Sequence, residues 1–449
     1  MIIYLKEHLQ LFVLMILWTI TGIYLGSVSF AIIGLSIVLL MTRRFYVEIL
    51  LGFWMILMYS DSFEQMFDFA KAFKPIYMLV VAGVVILHRH VLLEGQNVIF
   101  RLFLPFFVWS FLIMYDNPQI SLSFQKTLSY SLLFFTVPAI MRHLLERDQH
   151  STLKAIVFFG TAYLTAGLIL RFFGVEFVYH VGRFSGLMGN PNGLGVLTFL
   201  FAMLFATASF RHPNFLPRGI RVLVWLIIFA NLFMCQSRSA LFATLLYLLF
   251  SSASVLRGFV GIIAFAIIIF SYQFLLHNLP LVVTSLGLEE FFRLDTLEGG
   301  SGRLIAWEFT WTQIQDNFFV GRGFTYTDWI FWQNYDLLTS LGHLGNAHNS
   351  FLTFWLDTGL IGLILYLIAF FLMFFTISKR YANAVPVMYA IIFSASFESW
   401  LTASLNPNTI TLLMTLSIML YGRPPEDKSS TIDGSVSDEG EENPLLIDG

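Results

Sequence analysis

The sequence predicts an all-α fold, a polytopic helical membrane protein with about 12–14 transmembrane helices and one large extracytoplasmic loop containing short helices. Three observations carry this expectation. Hydrophobic residues make up 57% of the 449 positions and charged residues only 12%, a balance that leaves too little polar surface for a water-soluble globule. Apolar runs of the roughly 20 residues needed to span hydrocarbon recur along nearly the whole chain. The alternation expected of a membrane β-strand is absent. Cys235 is the one cysteine, which excludes internal disulfides and thiolate metal clusters.

Read in order, the apolar runs cover roughly 9–25, 28–41, 45–60, 75–88, 99–115, 126–141, 152–173, 190–209, 220–235, 239–255, 259–276, 350–377, 384–402 and 407–421. The first follows Lys6 without a small-residue cleavage site and reads as a retained span, not a removed signal peptide. With the N-terminus inside, the inward connections carry Arg43, Arg44, Arg89, Arg142, Arg147, Arg211, Arg218, Arg221, Arg257, Lys379, Arg380 and Arg423. The outward ones hold the acidic stretch 61–68 and the neutral Asp116-Asn117-Pro118-Gln119. This alternation follows the positive-inside rule and predicts that both termini are cytoplasmic. Four segments result: transmembrane helices over 1–276, an extracytoplasmic loop over 277–348, further spans over 349–421 and a tail over 422–449. The tail holds two basic and eight acidic residues among Ser and Gly, a composition that predicts disorder.

Five arginines nevertheless fall on outward segments: Arg183, Arg238, Arg293, Arg303 and Arg322. For Arg293, amid Glu289, Glu290, Asp295 and Glu298, pairing with those acids is explanation enough. Glu308 is a further candidate partner for the arginines. Arg238 sits in Gln236-Ser237-Arg238-Ser239, a polar knot between two apolar runs, where a guanidinium with little water around it needs an anionic partner. Arg303 follows Gly299-Gly300-Ser301-Gly302, with Ser301 expected as helix cap. Leu304, Trp307, Trp311, Ile314 and Phe318 then recur at helical spacing as a stripe suited to the membrane surface. Arg303 would stand in that helix's first turn, where free N–H groups already favour an anion. Asn190-Pro191 and Asn406-Pro407 have the form of helix starts, Asn capping and Pro in the first helical position.

His348 lies at the end of the long loop, just before a helix expected to start at Asn349 or Ser350. Taken alone, an interfacial histidine is satisfied by backbone. Among arginines its chemistry changes, because imidazole titrates near the value a general base needs, and guanidinium groups nearby favour the neutral form. Asp357, nine residues along the same helix, lies roughly 13 Å away at 1.5 Å per residue and is too far for a simple pair unless the helix breaks. Asp357 and Glu398 fall within apolar spans and are alternative bases, although Glu398 equally suits support of the arginines. Gly359 and Gly362 would let a neighbouring helix approach closely.

Together, Arg183-Phe-Ser-Gly, Asn190-Pro-Asn, Ser237-Arg238, Ser301-Gly-Arg303 with Trp307, Gly321-Arg322-Gly323, and Ala347-His348-Asn349-Ser350 with Gly359-Leu-Ile-Gly362 resemble the O-antigen ligase and Wzy-type polymerase superfamily of bacterial envelopes. The likeness covers about residues 180–365 and is most specific from Ser301 to Gly362. It implies an inverting, metal-independent glycosyltransferase without cofactor, on the outer side of the bacterial cytoplasmic membrane. The implied donor is a glycan on polyprenyl (undecaprenyl) pyrophosphate. The implied acceptor is a sugar hydroxyl on lipid A–core or on a second lipid-linked unit. In this resemblance His348 is the essential histidine, Arg238 and Arg303 hold the donor pyrophosphate, and Arg183 and Arg322 are further pyrophosphate candidates. Asn349, Glu308, Asp357, Glu398 and Asn190 are supporting residues.

Ligase and polymerase differ in acceptor, and the residues do not separate them; the well-formed histidine motif tilts the reading toward the ligase. A polysaccharide or lipid-linked glycan transporter is the rival from another class. It would gather ionisable residues near the bilayer midplane and show internal repeats, whereas here they gather at one face. A cytoplasmic nucleotide-sugar transferase is disfavoured by the lack of a P-loop, a dinucleotide glycine motif or an Asp-x-Asp site. Nothing in the chain suggests a nucleic-acid partner.

Overall fold

A computed structural model of the chain describes residues 9–95, 97–258, 260–271, 284, 302–343 and 345–423. The first part of the expected loop (277–301, Thr284 apart) and nearly all of the acidic tail lie outside the described residues, as do Glu289, Glu290, Arg293, Asp295, Glu298 and Ser301. Helices satisfy every backbone N–H and C=O within one segment, as hydrocarbon requires, and the apolar runs fold accordingly. They form α1 (Leu9–Leu25), α2 (Val28–Thr42), α3 (Tyr46–Ser60), α4 (Asp68–Leu87), α5 (Val98–Ile113), α6 (Ile120–Phe172), α7 (Pro191–Arg211), α8 (Arg218–Met234) and α9 (Arg238–Ser252). Among the described residues after α10 (Val260–Ser271) are the short helices α11 (Arg303–Asp316), α12 (Tyr326–Gln333) and α13 (Tyr335–Ser340). The chain returns through α14 (Ser350–Ser378), α15 (Ala384–Phe397) and α16 (Pro407–Tyr421). Five of the helical segments are long and apolar enough to cross a membrane, and seven shorter helices of 10–17 residues are also apolar. The all-α polytopic fold read from composition is the fold observed.

Three expected spans differ. Those at 126–141 and 152–173 are one helical run, α6, broken at Asp148 (φ −149°, ψ 82°), whose carboxylate accepts the Ser151 N–H at 3.0 Å and caps the second half. The span expected at 384–402 stops at Phe397, and Glu398 takes extended backbone angles. Glu398 therefore sits in a break between α15 and α16, not inside a span.

The last helix is the centre of the bundle. Every residue of α16 from Pro407 to Leu420 is buried, against α7, α6 and α3. Thr411, Thr415 and Ser417 turn their hydroxyls back onto carbonyls four residues earlier, so the polar atoms are satisfied without any neighbour.

Helix α14 carries a break at Gly359 (φ 69°, ψ 176°), a backbone region that only glycine adopts readily. Hydrogen bonds lost at the break are replaced by the loop after α11. Leu360 and Ile361 N–H donate to Phe318 and Phe319 C=O, and Arg322 and Gly323 N–H donate to Asp357 C=O. Trp109 Nε1 of α5 donates to Thr358 C=O at 2.9 Å. A loop, not a neighbouring helix, therefore lies against Gly359, while Gly362 does meet Trp109 of α5. A Cβ on Gly359 would collide with the backbone of Phe319 and Val320. Gly359→Ala is expected to cost at least about 1–3 kcal/mol, read as a lowered melting temperature of the purified protein in detergent.

The bundle has two chemically different ends. At about 1.5 Å per residue, the 21 residues of α7 separate them by about 31 Å. At one end Arg211 donates to Met419 C=O, the Arg423 N–H donates to Gln149 Oε1, and Tyr46 OH pairs with His88 Nδ1. At the other, Gly189 N–H donates to Asp61 C=O beside the Asn190 cap, and the loop helices gather.

Candidate functional site

A two-residue turn through Val181 and Gly182, both at positive φ, joins β1 (Tyr179–His180) to β2 (Arg183–Phe184). Two consecutive left-handed residues suit the twist of such a hairpin, and the ribbon delivers Arg183 to the start of α7. There Arg183 Nη2 donates to Asn192 Oδ1 at 3.0 Å, Cys235 C=O at 2.8 Å and Gln236 C=O at 3.2 Å. These two carbonyls belong to the turn just beyond α8, where the chain has left the helical ladder, and the guanidinium binds both. Asn190 caps α7 through the Asn192 N–H at 2.8 Å, with Pro191 in the first helical position, as expected. The turn pinned by Arg183 leads directly into α9, whose first residue is Arg238. The next residue, Ser239, places Oγ 3.4 Å from Glu398 Oε1.

Glu398 is the hub. Arg303 Nη2 lies 2.7 Å from Oε1, and His348 Nδ1 lies 3.5 Å from Oε2. Arg303 opens α11, as expected, but the residue before it in the cap position is Gly302 (φ 72°) with no side-chain cap bond. The His348 side is tied down from both flanks. Asn346 Oδ1 accepts the His348 N–H at 3.0 Å, and Asn349 caps α14 by accepting from Phe351 and Leu352 N–H. Asn349 N–H donates to Ser399 Oγ at 3.0 Å, and Ser350 Oγ donates to Glu398 C=O at 2.7 Å. Between these anchors His348 is held at φ 46°, a conformation side-chain-bearing residues adopt rarely. The 346–350 segment thus docks onto 398–399 while the imidazole faces the carboxylate.

Burial alone would push the Glu398 carboxyl up, but Arg303 and then His348 more than offset this and hold it below its ordinary value. His343 packs edge-on to His348 with ring centroids 5.8 Å apart. Burial, and then His348, keep its pKa below the ordinary value. Among the described residues no group of three or more His, Cys, Asp or Glu side chains is placed to hold a metal ion.

Arg183, Asn190, Arg238, Arg303, His348, Asn349 and Glu398 are thereby brought to one end of the bundle. Three of the expected residues are not part of the Glu398 cluster. Asp357 is wholly buried in α14 and accepts from Thr327 N–H at 2.8 Å and Thr327 Oγ1 at 2.7 Å. The break follows it at Gly359 and so does not turn it toward His348. Arg322 donates through Nε to Asn317 Oδ1, lies 3.9 Å from Asp116 and covers the Tyr326 ring. Glu308 is exposed on α11, and the arginine's carboxylate partner is Glu398 instead. The apolar stripe of α11 also divides. Ala306, Thr310 and Ile314 face inward, Trp307 packs on Phe397, and Leu304 and Trp311 are exposed.

Sequence reasoning missed Ser239, Ser399, Asn346 and His343. Ser239 stood inside the Gln236–Ser239 knot already singled out and Asn346 immediately before the Ala347-His348 motif, and that nearness was the available signal. Ser399 enters from a different helix pair and left none.

Residues 222–367 match the O-antigen ligase family. No curated protein matches the chain. The matched stretch contains Arg238, Arg303, Arg322, His348 and Asn349, while Arg183 and Glu398 lie on either side of it. The resemblance of this chain to the O-antigen ligase superfamily is therefore supported over residues 222–367.

Proposed function

We propose that the protein is a membrane glycosyltransferase that moves a glycan from a polyprenyl pyrophosphate donor to a sugar hydroxyl, with inversion and without a metal. The observation that carries this reading is the sharing of one buried carboxylate, Glu398, between Arg303 and His348. Nδ1 faces the carboxylate, so Nε2 is the nitrogen left to take a proton, a base oriented by an acid in the manner of hydrolytic triads. As the acceptor oxygen bonds to the anomeric carbon, its proton passes to Nε2. The bond from that carbon to the pyrophosphate breaks on the opposite face, and its electron pair leaves with the phosphate. Glu398 steadies the imidazolium that results.

Arg303 and Arg238 meet the charge on the leaving group. A guanidinium has five N–H donors, of which the bond to Glu398 uses one. Arg238 opens α9, so the helix's own free N–H groups reinforce its charge. Arg183, whose Nη2 already holds the carbonyls just beyond α8, acts by positioning Arg238. The site would lie on the outer face of the bacterial cytoplasmic membrane with both termini inside, as the charge alternation favours. The lipid tail would then remain among the helices while the glycan stays in water.

The reading is tested with purified protein in proteoliposomes, supplied with a polyprenyl pyrophosphate-linked glycan and either lipid A–core or a second lipid-linked unit. Transfer to lipid A–core is the expected outcome and marks a ligase, while transfer to the lipid-linked unit marks a polymerase of O-antigen, capsule or exopolysaccharide. Movement of the donor across the bilayer with neither product would instead mark a transporter and overturn the proposal.

A further inference from the structure

A cavity of about 840 Å³ opens between α4 and the first half of α6, away from the Arg303–Glu398–His348 cluster. It is at the upper end of the range that ligand pockets occupy, about 300–1,000 Å³. Its lining divides into two chemistries. Pro75, Met78, Leu79, Leu122, Leu128 and Leu132 form an apolar part along two helices of membrane-spanning character. Apart from Ala403 and Leu405, the remainder is polar and includes Gln119, Gln125, Ser129, Thr325, Ser404 and Asn406.

The charges in this cavity are balanced. Lys126 pairs with Asp328 at 3.2 Å, and Asp61 and Lys74 face the same space. Burial pushes the Asp61 carboxyl up to about 6, with Lys74 working against the rise. A site with two lysines, two carboxylates and a set of amides and hydroxyls does not select a diphosphate, which calls for uncompensated cations. It offers mixed donors and acceptors, the complement of sugar hydroxyls. An apolar trough continuing from such a site accommodates an alkyl chain.

The cavity and the Glu398 cluster share two walls. Thr325 and Asp328 belong to the start of α12, and one turn further along Phe331 packs against His343, the neighbour of His348. Residues 403–406 continue the break that holds Glu398. Ser129 Oγ donates to Ser404 Oγ at 2.9 Å, and Tyr130 OH donates to Leu401 C=O at 2.6 Å. The α12 wall of the cavity is thus linked through Phe331 and His343 to the imidazole.

We propose that this cavity binds the acceptor, as the saccharide end of a lipid-anchored molecule whose hydrocarbon lies along α4 and α6. The word acceptor rests on the transferase reading above; a binding site for a lipid-anchored saccharide stands without it. The probe is a long-chain alkyl disaccharide carrying a diazirine where chain and sugar meet, applied to the full-length protein in lipid vesicles. Mass spectrometry should find the label on residues 74–79 and 119–132. Excess untagged alkyl disaccharide should remove it, and inorganic pyrophosphate should not. Gln125→Trp, which fills the cavity from an exposed position, should abolish the label, whereas Leu112→Trp on the exposed face of α5 should leave it unchanged. Labelling confined to other helices, or undiminished by Gln125→Trp, overturns the proposal. In the transfer assay the same variant should raise KM for the lipid-linked acceptor by ~tenfold or more while kcat at saturation is retained. An unchanged KM removes the acceptor role. Arg303→Ala should keep the label while losing transfer, so the two readings fail separately.

Discussion

His348→Ala is expected to reduce glycan transfer by ~10²–10⁴-fold, the contribution a positioned general base makes. Helix α14 does not depend on the imidazole for its start, since Asn349 supplies the cap. The substituted protein should therefore insert and melt as the parent does. The loss should fall on kcat, because the proton is transferred only in the reaction step. Glu398→Gln on top of His348→Ala should add little further loss through the base, since the carboxylate acts on the proton only through the imidazole. Initial rates of labelled glycan transfer in proteoliposomes measure both. Parent-like transfer by His348→Ala would remove the histidine from the reaction.

Arg303→Ala is expected to fail in two separable ways. Transfer should fall by ~10²–10³-fold, the usual consequence of removing one donor that meets developing negative charge. The protein should also lose about 3 kcal/mol of stability, because Glu398 is left as a buried charge with its cation gone. The side chains are only 19% and 10% exposed, so water compensates little. Adding Glu398→Gln to Arg303→Ala removes the uncompensated charge and should recover most of the melting temperature while transfer stays low. Recovery of both would reduce Arg303 to a structural partner of Glu398. Arg303→Lys keeps the charge but not the planar fork of donors and should show intermediate transfer with near-parent stability.

The positions of the helices were legible because hydrocarbon imposes a single rule on the backbone, and apolar runs report it directly. The Asn190 cap, the helix start at Asn349 or Ser350 and the placement of Arg303 in a first turn were legible for a similar reason, since each is settled within a few residues. What needed the structure was long-range. Glu398 is fifty residues beyond His348 and looked like an acid inside a span, and nothing local signals that α15 stops at Phe397. Gly359 read as a point of helix contact because its spacing to Gly362 fits that pattern. The competing outcome, a left-handed break filled by the backbone of 318–323, depends on hydrogen bonds from a distant loop. Asp357 was a candidate as an acid inside an apolar span and Arg322 as an outward arginine, and both are instead taken up by contacts around that same loop and the start of α12.

One residue, Glu398, stitches helix starts at 238 and 303, through its carboxylate, and at 350, through its backbone carbonyl, to a gap between two membrane helices. A segment moored in this way does not swing aside like a door, since parting it strands an anion at the hydrocarbon edge. On the proposed transfer reaction, long carbohydrates would therefore slide in sideways, with both partners arriving as floating lipids through flanks that stay open while the seam between them remains shut.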